Sequence, residues 1–313
     1  MCINERSILI TGGYGFLGRA VARHFKSDGY RVVGIGRGRW SAAEAASAGF
    51  DVWLDASVSL PSLMTLRETF GLVFHCAGNG SVGYSLKNPL QDFYKTVQGT
   101  AELLEYVRLC NSSALVIYPS SAGVYGDIGD VRIRESAKAD PISPYGVHKS
   151  IAENLLISYS KTFGTRVAII RFFSIYGPGL TKQLLWDASI KLMRSPTESA
   201  TFSGTGDETR DWIFSEDAAR LVRSVASTRG RLTIINGASG ERVTVRATLE
   251  RLRAALHVDK RIEFDGIVRE GDPKFYHADI ERAFSTGWRP EIQLPVGLAR
   301  YADWFLNNER EFT

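Results

Sequence analysis

Short apolar runs punctuate the first half of the chain: SILIT (7–11), RVVGI (31–35), DVWL (51–54), LVFHC (72–76), ALVIY (114–118) and VAIIR (167–171). They are continuous rather than alternating, the pattern of strands buried on both faces. Between them, segments such as LQDFYKTVQGTAELLEYVRL and YGVHKSIAENLLISYSKTF carry apolar residues every three or four positions. Those segments predict crossover helices, so the first half reads as a parallel α/β sheet covered on both sides, doubly wound in the Rossmann manner. After Arg171 the rhythm loosens into Gly/Pro-rich loops and helices, with one further strand at LTIIN (232–236) and no internal repeat. The predicted organisation is a first domain over residues 1–173, with a return strand near 210–238, followed by a smaller C-terminal lobe over residues 174–313.

SILIT runs directly into GGYGFLG and then into a helical RAVARHF, with Gly12, Gly15 and Gly18 at three-residue spacing. A turn this tight lets backbone approach a pyrophosphate, whose charge then sits at a helix N-terminus. The loop therefore predicts dinucleotide binding through Gly12, Gly15, Phe16, Leu17 and Gly18. The ribose-binding acid of NAD-type sites is expected at the end of the second strand, where the chain reads GIGRGRW, with Gly36 and Arg37 in its place. A unit charge pair at ~4 Å is worth on the order of 4 kcal/mol near a surface, so Arg37 without a competing acid favours the 2'-phosphate of NADP, with NAD as the alternative. Asp55 after the third strand is expected to accept from the adenine amino group, and Ala77 and Gly78 of HCAG to bring backbone to the cofactor.

Composition narrows the classes without choosing among them. The chain has 313 residues, 44% hydrophobic and 23% charged, with a net charge of +4 spread over scattered Lys and Arg. No run of like charge marks a nucleic-acid arm, and a phosphate-bearing small molecule explains the mild excess. Three cysteines form no CxxC pair and five histidines fall into no metal-ligand spacing, so neither a disulfide framework nor a metal is expected. No apolar run reaches membrane-span length. These features predict a soluble, cytoplasmic protein.

The candidate chemistry lies in SPYGVHKS (143–150). Ser-Pro starts a helix, and Tyr145 and Lys149, four residues apart, share one face of it. An ammonium within ~4 to 6 Å lowers a neighbouring acid's pKa by ~1 to 3 units, and an oxidised nicotinamide adds a second positive charge. Together they are expected to poise Tyr145 as a proton donor and acceptor near neutrality, with Lys149 free to hydrogen-bond the nicotinamide ribose. The fifth strand ends in IYPSSAGVYG, where Ser120 or Ser121 offers a hydroxyl to bridge Tyr145 and a substrate oxygen.

Taken together, TGGYGFLG, HCAG, VQGT, PSSAGVYG, SPYGVHK, RFFSIYGPG, GTGDETRDWIFSEDAA, INGASGE and REGDP with GWRP resemble the extended short-chain dehydrogenase/reductase family that modifies nucleotide sugars. The resemblance covers nearly the whole chain. It implies a seven-stranded parallel sheet, a C-terminal lobe that binds a nucleotide-diphosphate sugar, and a homodimer through the long helices near residues 90–110 and 146–163. Matched position by position, it makes Ser121 the catalytic serine beside Tyr145 and Lys149, and Arg210 and Arg269 the diphosphate-binding arginines. Ser174 stands where the family usually has an Asn that touches the nucleotide sugar, and Thr96 replaces a frequent Asn before VQGT. TKQLLWDASIKL (181–192) is expected to line the sugar pocket or simply to pack.

The same resemblance separates the chemistries. Dehydratase-like members carry Thr-Asp-Glu where this chain has Ser121, Ala122 and Gly123, and members that epimerise carbons 3 and 5 carry a cysteine where it has Ala122. Both activities lack their acids and bases here. What remains is carbon-4 chemistry. The reading of Arg37 favours net NADPH-dependent reduction of a 4-keto(-6-deoxy) sugar, with an NAD-dependent 4-epimerase as the alternative and a non-catalytic dinucleotide-sensing protein as a remote third.

Overall fold

The structure, a computed structural model, describes residues 4–267 and 273–308. Its strands run in chain order as β1 (Asn4–Thr11), β2 (Arg31–Gly36), β3 (Val52–Asp55), β4 (Phe70–His75), β5 (Leu115–Ser121) and β6 (Arg166–Phe172). They continue as β7 (Ser174–Tyr176), β8 (Ser199–Phe202), β9 (Thr209–Phe214), β10 (Leu232–Gly237), β11 (Arg242–Thr244) and β12 (Arg261–Phe264). Seven of them form one sheet in the order β10-β6-β5-β4-β1-β2-β3, and every pair in it is parallel.

The apolar runs are continuous because helices cover both faces. Ile8, Leu9 and Ile10 are all fully buried. Ile8 and Ile10 belong to one core with Val21 and Phe25 of the helix Phe16–Ser27 and with Leu221 and Val222 of the helix Ser215–Val225. Leu9 faces the other way, into a core with Leu103 and Leu104 of Gly99–Cys110 and Ala152 and Leu156 of Pro144–Phe163. Strand alternation thus feeds two separate cores from one uninterrupted run.

The winding reverses between β1 and β4. From β1 the chain builds outward through β2 and β3, then crosses to β4 and continues through β5 and β6. The crevice beyond the carboxyl ends of β1 and β4 is therefore the ligand-binding position of an open parallel sheet. Thr11 and His75 stand opposite each other there. The neutral His75 ring, pushed down to about 3 by burial, bridges the Thr11 hydroxyl at 2.7 Å and the Thr100 hydroxyl at 3.1 Å. That bridge fixes both strand ends beneath the crevice.

β10 returns to the edge of the main sheet against β6, whereas β9, also within the expected 210–238 return, pairs instead with β7 and β11. Around this smaller sheet pack the helices Gln183–Arg194, Val245–Ala255 and Leu294–Asn308, with Tyr176, Trp212, Phe214, Leu249, Tyr301 and Phe305 in their shared core. The predicted helix over 90–109 is not continuous. Pro89–Phe93 passes through a π turn at Tyr94–Gln98 before resuming at Gly99, and Tyr94, Lys95 and Gln98 of that turn face the crevice. An inserted residue of this kind leaves the apolar spacing intact on either side, and such turns cluster at functional sites.

Candidate active site

A cavity of about 1430 Å³ runs from the glycine loop to the C-terminal lobe. Its lower wall follows from the sequence. Gly12 has φ +69°, and a β-carbon there would lie 2.7 Å from the Ala77 backbone, so only glycine allows the two loops to meet. Gly15 is the N-cap of the helix Phe16–Ser27 and supplies no side-chain cap, which leaves the first-turn N–H groups to a ligand. Gly18 does not face the cavity. It lets the helix approach the turn, since a β-carbon there would sit 2.7 Å from the Gly12 carbonyl oxygen.

Gly12, Gly15, Phe16, Leu17, Ala77 and Gly78 all line the cavity, and this bare-backbone cradle at an uncapped helix start fits a dinucleotide diphosphate. Gly36 and Arg37 line its far end, with Arg37 exposed. Asp55 stands exposed at the end of β3. It lies outside the cavity lining, and its carboxylate accepts from the Gly38 N–H at 3.0 Å, tying down the loop after β2.

Ser143 and Pro144 set the reacting end. The Ser143 hydroxyl accepts from the Gly146 N–H at 3.2 Å as the helix N-cap, and Pro144 occupies a position where no N–H is needed. The Tyr145 N–H is held from a neighbouring helix by the buried Ser85 hydroxyl at 3.1 Å, a contact no sequence spacing announces. Lys149, one turn on, is buried. Its ammonium donates to the Pro119 carbonyl at 2.9 Å and lies 4.6 Å from the centre of the Tyr118 ring and 5.9 Å from that of Tyr145.

Of the two serines, Ser120 turns to the sheet interior and donates to Glu153 at 2.6 Å. Ser121 accepts from the Gly123 N–H at 3.1 Å, and its hydroxyl stands beside the Tyr145 ring, lowering the phenol's pKa. The pair that adjoins is therefore Ser121 and Tyr145.

The expected poising of Tyr145 calls for Lys149 together with an oxidised nicotinamide, and the polypeptide by itself does not produce it. Burial pushes the phenol up to about 12, the Ser121 hydrogen bond opposes that, and the nearby Asp92 and Cys76 add to it. Lys149 points at a carbonyl and is itself pushed down to about 8 by burial. Desolvation outweighs the neighbouring cation as long as a second positive charge is absent.

On the opposite wall, Ser174 at the start of β7 and Arg210 on β9 both line the cavity. The Arg210 guanidinium donates to the carbonyls of Thr209 at 2.9 Å and Pro273 at 3.1 Å and lies 5.6 Å from the centre of the Tyr276 ring. Arg269 lies outside the described residues. Leu184, Trp186, Asp187 and Ile190 of the 181–192 segment line the cavity, while Leu185 and Leu192 pack in the core, so that segment does both. Lys182 and Gln183 also reach the lining, and neither residue type nor spacing singled them out. No group of three or more potential metal ligands occurs among the described residues, and no described helix is long and apolar enough to cross a membrane.

The model of the NAD dependent epimerase/dehydratase family matches residues 8–236. The chain is 28% identical to the CDP-paratose 2-epimerase of Salmonella typhi over 95% of its own length and 98% of the relative's. It is 27% identical to the UDP-glucuronate 4-epimerase of Thermodesulfobacterium geofontis, with 96% of each chain covered. Among solved structures, UDP-glucuronic acid 4-epimerase from Bacillus cereus, in complex with UDP-glucuronic acid and NAD, superposes with a TM-score of 0.85 at 25% identity, covering 96% of this chain and 99% of that one.

Proposed function

The chain belongs to the NAD-dependent epimerase/dehydratase family, and from that premise we propose that it inverts carbon 4 of a UDP-linked hexose with a retained NAD. The observation that carries this reading is the meeting of Ser121, Tyr145 and Lys149 in one cavity that also contains the glycine cradle and the wall bearing Ser174 and Arg210. Relatives that match along nearly their full length are nucleotide-sugar epimerases, which supports the epimerase alternative over the reductase expected from sequence.

The reductase expectation rested on Arg37. That side chain lines the cavity but is exposed, and the Bacillus cereus structure that superposes on this chain is in complex with NAD, which supports NAD over NADP. A catalyst that returns its hydride each cycle has no need of a reducing pool, which favours NAD.

A bound nicotinamide dinucleotide supplies the hydride acceptor, the hydride donor and, when oxidised, a positive charge. The residues of the chain then divide the remaining work. Tyr145 takes the proton of the sugar 4-hydroxyl and later returns it. Ser121 holds the same oxygen through its hydroxyl as charge develops there. Lys149, braced by Pro119 and Tyr118, keeps a positive charge beside the phenol and presents it to the dinucleotide. Arg210 faces the sugar diphosphate, where a guanidinium binds phosphate oxygens well.

We further propose the homodimer implied by the two long helices. Leu90 and Phe93, near the start of the first, and Leu109 and Phe163 on the two helices, are exposed apolar side chains that support it, and sedimentation tests it. The test of the function is incubation with UDP-glucose and UDP-glucuronate. Appearance of the 4-epimer without net change in reduced dinucleotide supports the proposal, and stoichiometric consumption of NADPH by a 4-keto sugar nucleotide restores the reductase.

A further inference from the structure

Lys182 and Gln183 reach from the C-terminal lobe onto the loop that follows β4. Gln183 adopts φ +69°, a left-handed conformation unfavourable for a residue with a β-carbon, and its side-chain amide donates to the Gly80 carbonyl at 2.8 Å. Lys182 is extended at the start of the helix Gln183–Arg194, and its ammonium lies 3.3 Å from where a β-carbon of Gly80 would stand. A β-carbon at position 80 would crowd the ammonium there. Strain is thus accepted at one residue while its neighbour holds a cation over the dinucleotide loop.

That cation stands exposed in the open cavity. Lys182 has no hydrogen-bond acceptor and no carboxylate partner among the described residues, whereas Lys95 in the same cavity donates to the Tyr84 hydroxyl at 2.7 Å. Lys182 and Lys149 act on each other as like charges across the cavity. The carboxylates nearest Lys149 are already engaged, Glu153 by Arg171 and Asp92 by His148. Partial desolvation lowers the Lys182 ammonium further. Two ammonium groups lining one cavity make a place for an anionic oxygen, beside the carboxylates of Glu102, Asp187 and Glu208 that line it too.

We propose that Lys182 binds a diphosphate oxygen of the ligand, clamping it from the C-terminal lobe. This rests on the reading of the cavity as a site for a dinucleotide and a sugar nucleotide, each of which carries a diphosphate. Lys182 acts by binding and takes no part in proton transfer.

The test is calorimetric titration of the full-length protein with NAD and, separately, with UDP, in the wild type and in Lys182→Met and Lys182→Arg. A charge-assisted hydrogen bond lost from the site predicts that Lys182→Met weakens one of the two ligands by ~10- to 100-fold, that Lys182→Arg stays far closer to wild type, and that the unliganded melting temperature is unchanged. Loss for NAD assigns the dinucleotide diphosphate; loss for UDP assigns the sugar nucleotide. Affinities of Lys182→Met within about twofold of wild type for both ligands overturn the proposal. Wild-type protein that binds NAD and not UDP counts against the sugar-nucleotide reading instead, and the NAD arm still decides the role of Lys182.

Discussion

The Glu153 carboxylate grips the Arg171 guanidinium through two nitrogens, the closer at 2.7 Å, and both side chains are buried directly behind the strand that carries Ser121. Ser120 donates to the same carboxylate, and Arg171 continues to the Glu135 carbonyl at 3.1 Å and packs 4.8 Å from the centre of the Tyr125 ring. The network ties the end of β5 to the helix Pro144–Phe163 and to β6.

Glu153→Gln leaves a buried guanidinium without its counter-charge. It is expected to cost ~3 to 5 kcal/mol in urea unfolding, while the double variant Glu153→Leu/Arg171→Leu costs less than the sum of its single changes. Additive losses contradict the pairing.

Tyr145→Phe is expected to lower kcat by ~10²- to 10⁴-fold with little change in the Kd for NAD, because the ring still packs and only the proton is lost. Ser121→Ala is expected to lose ~10²-fold by the same assay. Equal losses in catalysis and in NAD binding contradict both roles.

The unliganded phenol has a sign that can be read. With its value pushed up to about 12, Tyr145 stays protonated through neutral pH, and a phenolate difference titration of wild type against Tyr145→Phe should show it ionising only in strong base. Oxidised NAD, bringing the second positive charge, should move that transition down. A transition near neutrality without dinucleotide would contradict the need for a second positive charge.

Lys149 is held charged at a cost in stability. Its folded value of about 8 lies below the ordinary 10.5, so the unfolded chain binds the extra proton between those limits and stability rises with pH across that window. The full penalty, ~3 kcal/mol, is present below about pH 8. Lys149→Met should therefore raise the unliganded unfolding free energy at neutral pH, an advantage that shrinks as pH rises from about 8 to 10.5, while abolishing turnover.

Gly12→Ala and Gly29→Ala separate backbone strain from collision. Both residues have positive φ, +69° and +78°, but a β-carbon at Gly29 meets nothing within 4 Å while one at Gly12 meets the Ala77 backbone at 2.7 Å. Gly29→Ala is expected to cost about 1 kcal/mol and leave NAD binding intact, and Gly12→Ala to cost more and abolish it.

Much of this was legible in the chain because the physics is local. β1, β4, β5 and β6 read as strands since burial on both faces demands unbroken apolar runs, and the glycines read as a cradle since their spacing is set by a turn and a helix. Strand pattern alone does not separate Ser120 from Ser121, which only the family resemblance does: adjacent strand residues point to opposite faces, and the register of β5 decides which meets Tyr145. The spacing of Tyr145 and Lys149 placed them on one helical face, but the ammonium's choice of the Pro119 carbonyl depends on a strand distant in sequence. Arg37 was read as a phosphate ligand from its residue type, and its exposure is a property of the folded loop. The Tyr94–Gln98 π turn and the approach of Lys182 to Gly80 leave no periodic trace at all.

The most direct test follows the hydrogen on carbon 4. UDP-hexose deuterated at that carbon, incubated with the purified protein, should yield the 4-epimer with deuterium still on carbon 4 and none in free reduced dinucleotide, because Tyr145 and Ser121 manage only the oxygen's proton while one bound cofactor takes and returns the deuteride. Deuterium lost to solvent, or found in dinucleotide released to solution, would contradict epimerisation by a retained NAD.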